Sequence, residues 1–218
     1  MSARQELEGA LAADRIMAIL RYRSGGDVLG AVDGLTAGGV RVLEITVDTP
    51  GMWAALEVAA DRPDLVVGAG TVTTVEQVRR VSDHGGRFVV SPGFDAEVVA
   101  AAHDLGLATL PGVATGTEVL AAAKAGVGLF KLFPAGPLGI DYLKALRGPF
   151  GTTSFVPTGG IGVDAVRSWL DAGALAVALG SDLAGRETPA SATDVESLRL
   201  RAEAALRQAQ TVTEARAF

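Results

Sequence analysis

The chain has 218 residues, 49% of them apolar, and no cysteine, which allows a sizeable core but neither a disulfide framework nor a thiolate metal site. Its 19 basic and 25 acidic residues give a net charge of −6 with no basic cluster, an argument against nucleic acid or an anionic membrane as partner. No apolar run reaches the ~18 residues of a membrane span, and the amphipathic N-terminus lacks a signal-peptide core, so a cytoplasmic protein is expected.

Strand and helix patterns alternate along the sequence. Residues 2–13 read as an opening helix with Ser2 as its cap, followed by the apolar strand IMAIL (16–20), which ends at Arg21. A helix over 26–37 is closed by Gly38 and Gly39, and VRVLEITV (40–47) is the second strand. Pro50, a first-turn signal, opens a helix running to about Asp61. LVVGAGT (65–71), helix 74–84, RFVVSPG (87–93), helix 95–105 and LATLPG (107–112) come next. Thr115 or Thr117 caps a helix to Ala125, and LFKLFP is the sixth strand. A short helix, Ile140 to Arg147, precedes SFVPTGG (154–160); helix 163–172 and LAVALGS (175–181) complete the alternation. A last helix spans 191–209, and TVTEARAF reads as a frayed tail.

Eight strands and eight helices at this spacing predict an α/β fold, a (β/α)₈ barrel with an extra N-terminal helix, in one domain over 1–218 with the barrel at about 14–185. A doubly wound open sheet gives the same alternation. The count of eight and the polar residues at strand ends favour closure, and no glycine fingerprint opens the first helix, which weakens a dinucleotide-binding reading.

In a barrel the C-terminal strand ends meet at one mouth. Those ends carry Arg21, Glu44, Thr71, Ser91, Pro111, Lys131, Thr158 with Gly159 and Gly160, and Gly180 with Ser181. Lys131 stands out. The chain has only three lysines; Lys124 and Lys144 fall in helical patterns, whereas Lys131 interrupts the apolar run 127–135. Burial disfavours an ammonium group, and a neutral amine attacks carbonyls, the first step of Schiff-base catalysis. The alternative is a lysine at a strand end with its head in water. Alternation in VRVLEITV puts Val42, Glu44 and Thr46 on one face and Leu43, Ile45 and Val47 on the other. Glu44 then points into the barrel, as does Lys131 if Phe130 and Leu132 point outward. Such a pair divides acid–base work or forms a structural salt bridge.

The stretches PTGGIGVDA (157–165) and LGSDLAG (179–185) come after strands seven and eight, the usual place in a barrel for a phosphate held by backbone N–H groups; plain tight turns are the alternative. Arg21 can clamp a carboxylate, and Thr71 can add a hydroxyl and an N–H; for either, a plain polar residue at a strand end is the alternative. His84 and His103 read as isolated and solvated, no cluster has metal-ligand spacing, and Trp53 and Trp169 read as packing residues.

The segments AILR (18–21), GGVRVLEIT (38–46), VGAGTV (67–72), SPG (91–93), LPGV (110–113), FKLFPA (130–135), GPF (148–150), FVPTGGI (155–161) and the Gly180–Ser181 pair stand in one order. In them the chain resembles the 2-keto-3-deoxy-6-phosphogluconate (KDPG)/4-hydroxy-2-oxoglutarate (KHG) aldolases. The resemblance implies a class I aldolase without cofactor or metal, acting on a small phosphorylated keto acid, usually as a homotrimer. It implies that Lys131 forms the imine, Glu44 shuttles protons, and Arg21 and Thr71 hold the pyruvyl carboxylate. It gives the pocket walls to Pro92 and Phe133 and the distal phosphate to Gly159, Gly160 and Ser181, counts Thr158 and Gly180 among the substrate-binding residues, and has pyruvate and glyceraldehyde 3-phosphate as products. Asp48 stands where some members carry arginine; there Arg21 takes over, and the substrate is left open between phosphogluconate-derived, phosphogalactonate-derived and 4-hydroxy-2-oxoglutarate. A sugar-phosphate isomerase or epimerase, and a non-catalytic phosphometabolite-binding barrel, are the competing readings. Catalysis by an amine further predicts that Glu44 is offset from Lys131 rather than locked to it.

Overall fold

The structure is a computed structural model that describes residues 2–151 and 153–210. Eight parallel strands, β1 (Ile16–Leu20), β2 (Val42–Thr46), β3 (Val66–Gly70), β4 (Phe88–Ser91), β5 (Ala108–Val113), β6 (Leu129–Leu132), β7 (Ser154–Pro157) and β8 (Val177–Leu179), are hydrogen-bonded in the order β7-β6-β5-β4-β3-β2-β1-β8. The ring closes between β7 and β8 through a bridge from Thr158 to Ala178 and a bond from the Leu175 N–H to the Phe155 carbonyl, 2.9 Å.

The helices are α1 (Ala3–Asp14), α2 (Val28–Ala37), α3 (Met52–Ala60), α4 (Val75–Asp83), α5 (Ala96–Asp104), α6 (Gly116–Lys124), α7 (Ala135–Leu138), α8 (Ile140–Arg147), α9 (Val166–Asp171), α10 (Ser181–Ala184) and α11 (Ala192–Gln210). Their starts obey local chemistry. Asp27, Thr74, Asp95 and Thr115 each accept a first-turn N–H of α2, α4, α5 and α6. Ser2 and Gln5 form a reciprocal capping box on α1, as Thr115 and Glu118 do on α6.

Strand alternation divides the apolar residues into two cores. Outward residues such as Leu43, Ile45, Phe130, Leu132 and Phe155 pack under the helices with Val32, Leu35, Leu56 and Trp169. Inward residues, among them Met17, Val42, Val66, Phe88, Leu110, Leu129 and Val156, fill the barrel together with Leu7 and Leu11 of α1. The extra helix is therefore a plug. It lies across the N-terminal mouth, where Glu6 meets Arg87 ahead of β4 (2.6 Å) and Arg4 reaches the Gly126 carbonyl (3.5 Å).

The structure amends several local expectations. Helix α3 begins after Gly51, whose φ of +79° makes the turn, so Pro50 sits one step outside the helix. The segment predicted as helix 163–172 is a short 3₁₀ turn, Val163–Ala165, running into α9. Two one-turn helices, α7 and α10, escape periodicity because four residues cannot display it. Ser181 consequently opens α10 instead of ending β8. The expected tail 211–218 lies outside the described residues.

Candidate active site

At the C-terminal mouth the ring opens into a cavity of about 910 Å³ whose lining includes Arg21, Glu44, Thr71, Pro92, Lys131, Phe133, Thr158, Gly159, Gly160, Gly180 and Ser181. The strand-end residues expected to meet thus converge, with two exceptions. Ser91 turns back to donate to the Gly93 carbonyl (2.6 Å), and Pro111 is held inside β5 opposite Ser91; neither lines the cavity.

Lys131 lies on β6 between Gly112 of β5 and Val156 of β7. Phe130 and Leu132 face the helices, so the amine is directed into the barrel, where the residue is 5% exposed. Its Nζ stands 4.0 Å from Glu44 Oε1 and 5.3 Å from the Phe133 ring centroid. The amine and carboxylate are close enough to share charge yet too far apart to hydrogen-bond, which agrees with the expected offset.

Glu44 is fully buried, and neither carboxylate oxygen has a hydrogen-bond partner among the described residues. Leaving a buried polar atom unpaired costs about 1–3 kcal/mol, more for a charged one, so a protein that carries such a group needs another reason to keep it. Room for the carboxylate is made by β3. A Cβ on Gly70 would lie 1.8 Å from Glu44 Oε1, and one on Gly68 would enter the Phe88 ring. The alternating glycines of VGAG leave the inner face of β3 bare, one for an aromatic ring of the core and one for the acid.

Arg21 lies just past β1 and donates to Thr71 Oγ1 at 2.6 Å, while its Nε stands 3.9 Å from Asp48. Thr71 holds φ at +60°, a left-handed conformation that a β-branched residue rarely adopts and that clusters at functional sites. Asp48 therefore neutralises part of the guanidinium without taking its hydrogen-bonding edge.

On the opposite wall the turns after β6 and β7 are laced together: the Ala135 N–H bonds the Thr158 carbonyl and the Gly136 N–H the Gly159 carbonyl, each at 2.8 Å. Gly159 (φ +90°) leaves space that a Cβ would lose to the Phe133 ring, 2.8 Å away. Thr158 is buried and bonds the Val156 carbonyl (3.1 Å). The N-terminus of the turn that follows β7 would offer backbone N–H groups to an anion. That position is taken: Asp182 Oδ2 accepts the Val163 N–H at 2.6 Å. An anion here would instead meet the Gly159–Gly160 turn and Ser181.

Sequence reading missed Ile19, Arg23, Ile161, Gly162, Ala178, Asp182, Arg186 and Glu187, which also line the cavity. Arg23 carried a signal in the R-Y-R spacing past the strand end, whereas Asp182, Arg186 and Glu187 depend on the unforeseen turn of α10. Of the candidates set aside, Trp169 is buried in the outer core. His84 is half-buried rather than solvated; its ring centroid lies 5.4 Å from that of Trp53, over which Arg80 also stacks. Among the described residues no group of three or more His, Cys, Asp and Glu side chains is placed to hold a metal, and no helix is long and apolar enough to cross a membrane.

A family model described as KDPG and KHG aldolase matches residues 7–198. A probable 2-dehydro-3-deoxy-6-phosphogalactonate aldolase of Rhizobium meliloti is 40% identical over 126 residues, 57% of this chain and 59% of the relative's own length. The KDPG aldolase of Zymomonas mobilis, solved with 3-phosphoglycerate, superposes with a TM-score of 0.81 at 30% identity, covering 93% of this chain and 95% of that one. The KDPG aldolase of Legionella pneumophila, solved with pyruvate captured as a covalent carbinolamine intermediate, gives 0.79 at 33% identity over 92% and 96%.

Proposed function

The chain belongs to the KDPG and KHG aldolase family, and on that premise we propose that it is a class I aldolase cleaving a phosphorylated 2-keto-3-deoxy sugar acid to pyruvate and glyceraldehyde 3-phosphate. The observation that carries the reading is the pair inside the barrel: a lysine amine 5% exposed, 4.0 Å from a fully buried carboxylate that no described residue satisfies.

The chemistry grows out of that pair. The neutral Lys131 amine attacks the C2 ketone, giving a carbinolamine, and loss of water gives an iminium ion. Glu44, with both oxygens unclaimed, supplies and removes the protons of these steps. It then takes the proton of the C4 hydroxyl as the C3–C4 bond breaks and its electrons flow to the iminium nitrogen, leaving an enamine. The aldehyde departs, the enamine is protonated at C3, and water releases pyruvate. Arg21 and Thr71 hold the carboxylate. Pro92 and Phe133 wall the keto-acid end, and Thr158, Gly159, Gly160, Gly180 and Ser181 receive the phosphate. The carbinolamine in the Legionella protein supports an imine route, and the relatives' names support both phosphogluconate- and phosphogalactonate-derived substrates. The proposal extends to one catalytic domain working in the cytoplasm without cofactor and, on family likeness alone, to a homotrimer.

Borohydride added with pyruvate tests the proposal. A pyruvyl adduct on Lys131, absent from Lys131→Met, is the expected result; an unlabelled wild-type protein refutes it and favours an isomerase or a binding barrel.

A further inference from the structure

The rim of the cavity carries a second set of charges with a pattern of its own. The loop after β1 and the loop after β8 are fastened to each other at three places. Tyr22, 1% exposed, donates its hydroxyl to the Ala184 carbonyl at 3.0 Å. Ser24 bonds the Glu187 carboxylate. Gly26 lies so close to Thr188 that a Cβ would fall 2.0 Å from its Oγ1. Residues 22, 24 and 26 therefore face the partner loop, and the intervening Arg23 faces the cavity, as Arg186 does from the other loop.

The acids of this wall are engaged. Asp182 caps the Val163 N–H, and Glu187 is held by Ser24. Arg21 has Asp48 and Thr71. Arg23 and Arg186 make neither an ion pair nor a side-chain hydrogen bond to another described residue, although both border the same opening. Those bonds leave Asp182 and Glu187 charged, yet the lining sets four cations, Arg21, Arg23, Lys131 and Arg186, against three carboxylates, Glu44, Asp182 and Glu187, and the two arginines that pair with no carboxylate give the rim a site for an anion, which a guanidinium binds through paired N–H donors.

We propose that Arg23 and Arg186 form a cationic rim that selects substrates by the charge at their distal end, favouring a phosphate dianion over the same keto acid with an uncharged hydroxyl end. The inference rests on the aldolase reading and deepens it. The glycine turn and Ser181 supply neutral donors that recognise phosphate shape; the two arginines supply the field that draws it in, an interaction that salt screens.

The test is the doubly substituted Arg23→Gln/Arg186→Gln protein, with its fold checked by circular dichroism. Steady-state kinetics on 2-keto-3-deoxy-6-phosphogluconate and on unphosphorylated 2-keto-3-deoxygluconate should show the preference for the phosphorylated substrate falling about tenfold, through KM rather than kcat. The salt dependence of kcat/KM should flatten. An unchanged preference, or an equal loss on both substrates, overturns the rim. Pyruvate trapping on the wild-type protein separates this result from failure of the aldolase reading. Should no adduct form, calorimetric titration with inorganic phosphate still decides: weaker binding in the double variant sustains the rim, and equal binding removes it.

Discussion

The two mouths of the barrel are built from the same eight strands and have opposite contents. At the N-terminal mouth α1 presses Leu7 and Leu11, both without exposure, onto an interior of Met17, Val42, Phe88 and Leu110. A few residues further along, the same inward positions hold Glu44, Gly70, Lys131 and Thr158, and no described helix covers them. One end is packed as a core is packed; the other keeps an unsatisfied carboxylate, an amine and a strained threonine. Stability is concentrated where nothing reacts, and polar groups are left unpaired only where a ligand can reach them.

That division can be broken from either side, and the largest effect is expected at the open mouth. Lys131→Met should lower aldol turnover on the order of 10⁴-fold or more, measured by pyruvate release, because the imine cannot form. Glu44→Gln should lower kcat by about 10²–10⁴-fold while borohydride still traps pyruvate on Lys131. At the plugged mouth the effect moves to stability. Leu11→Ala should cost about 2–5 kcal/mol in a denaturant titration and leave kcat per folded molecule unchanged. Replacing both charges, Lys131→Met/Glu44→Leu, should yield a dead protein at least as resistant to urea as the wild type, since an apolar exchange for a buried pair is neutral or favourable by about 1–4 kcal/mol. A clearly weaker double variant would mean that the pair supports the fold.

The smallest effect lies outside both mouths. Thr115→Ala should remove about 1 kcal/mol by undoing the α6 capping box. The N–H of Ala114, with Thr115, holds the Glu118 carboxyl below its ordinary value of 4.5. A depressed folded value means that this contribution is present above about pH 4.5 and fades as the pH falls through the folded value. Glu118→Ala, which removes the carboxyl itself, should therefore differ less from wild type at pH 3 than at pH 7 in the same titration.

The strands and most helix limits were legible because each is announced locally. IMAIL is apolar throughout and is buried along its whole length, Ser2 and Thr115 cap the helices that begin beside them, and VRVLEITV carries its inside and outside in its period. Lys131 and Glu44 were legible as misfits, charges where neighbours of one period demand apolar residues. Gly70 was not: nothing in GAG tells which side chain needs the vacancy, since Glu44 approaches from another strand. Nor could the sequence show that Asp182 would claim the Val163 N–H, or that Tyr22 would reach Ala184, because these contacts span 19 and 162 residues.

From the chain itself come the period of each segment, the caps, the count of eight and the two charges that break their patterns, since these depend on a residue and its near neighbours. Closure of the ring, the 4.0 Å between amine and carboxylate, and the arginines left facing the opening were decided only when distant segments met. A distance between two side chains is set by the packing of every strand between them, and no local pattern contains it.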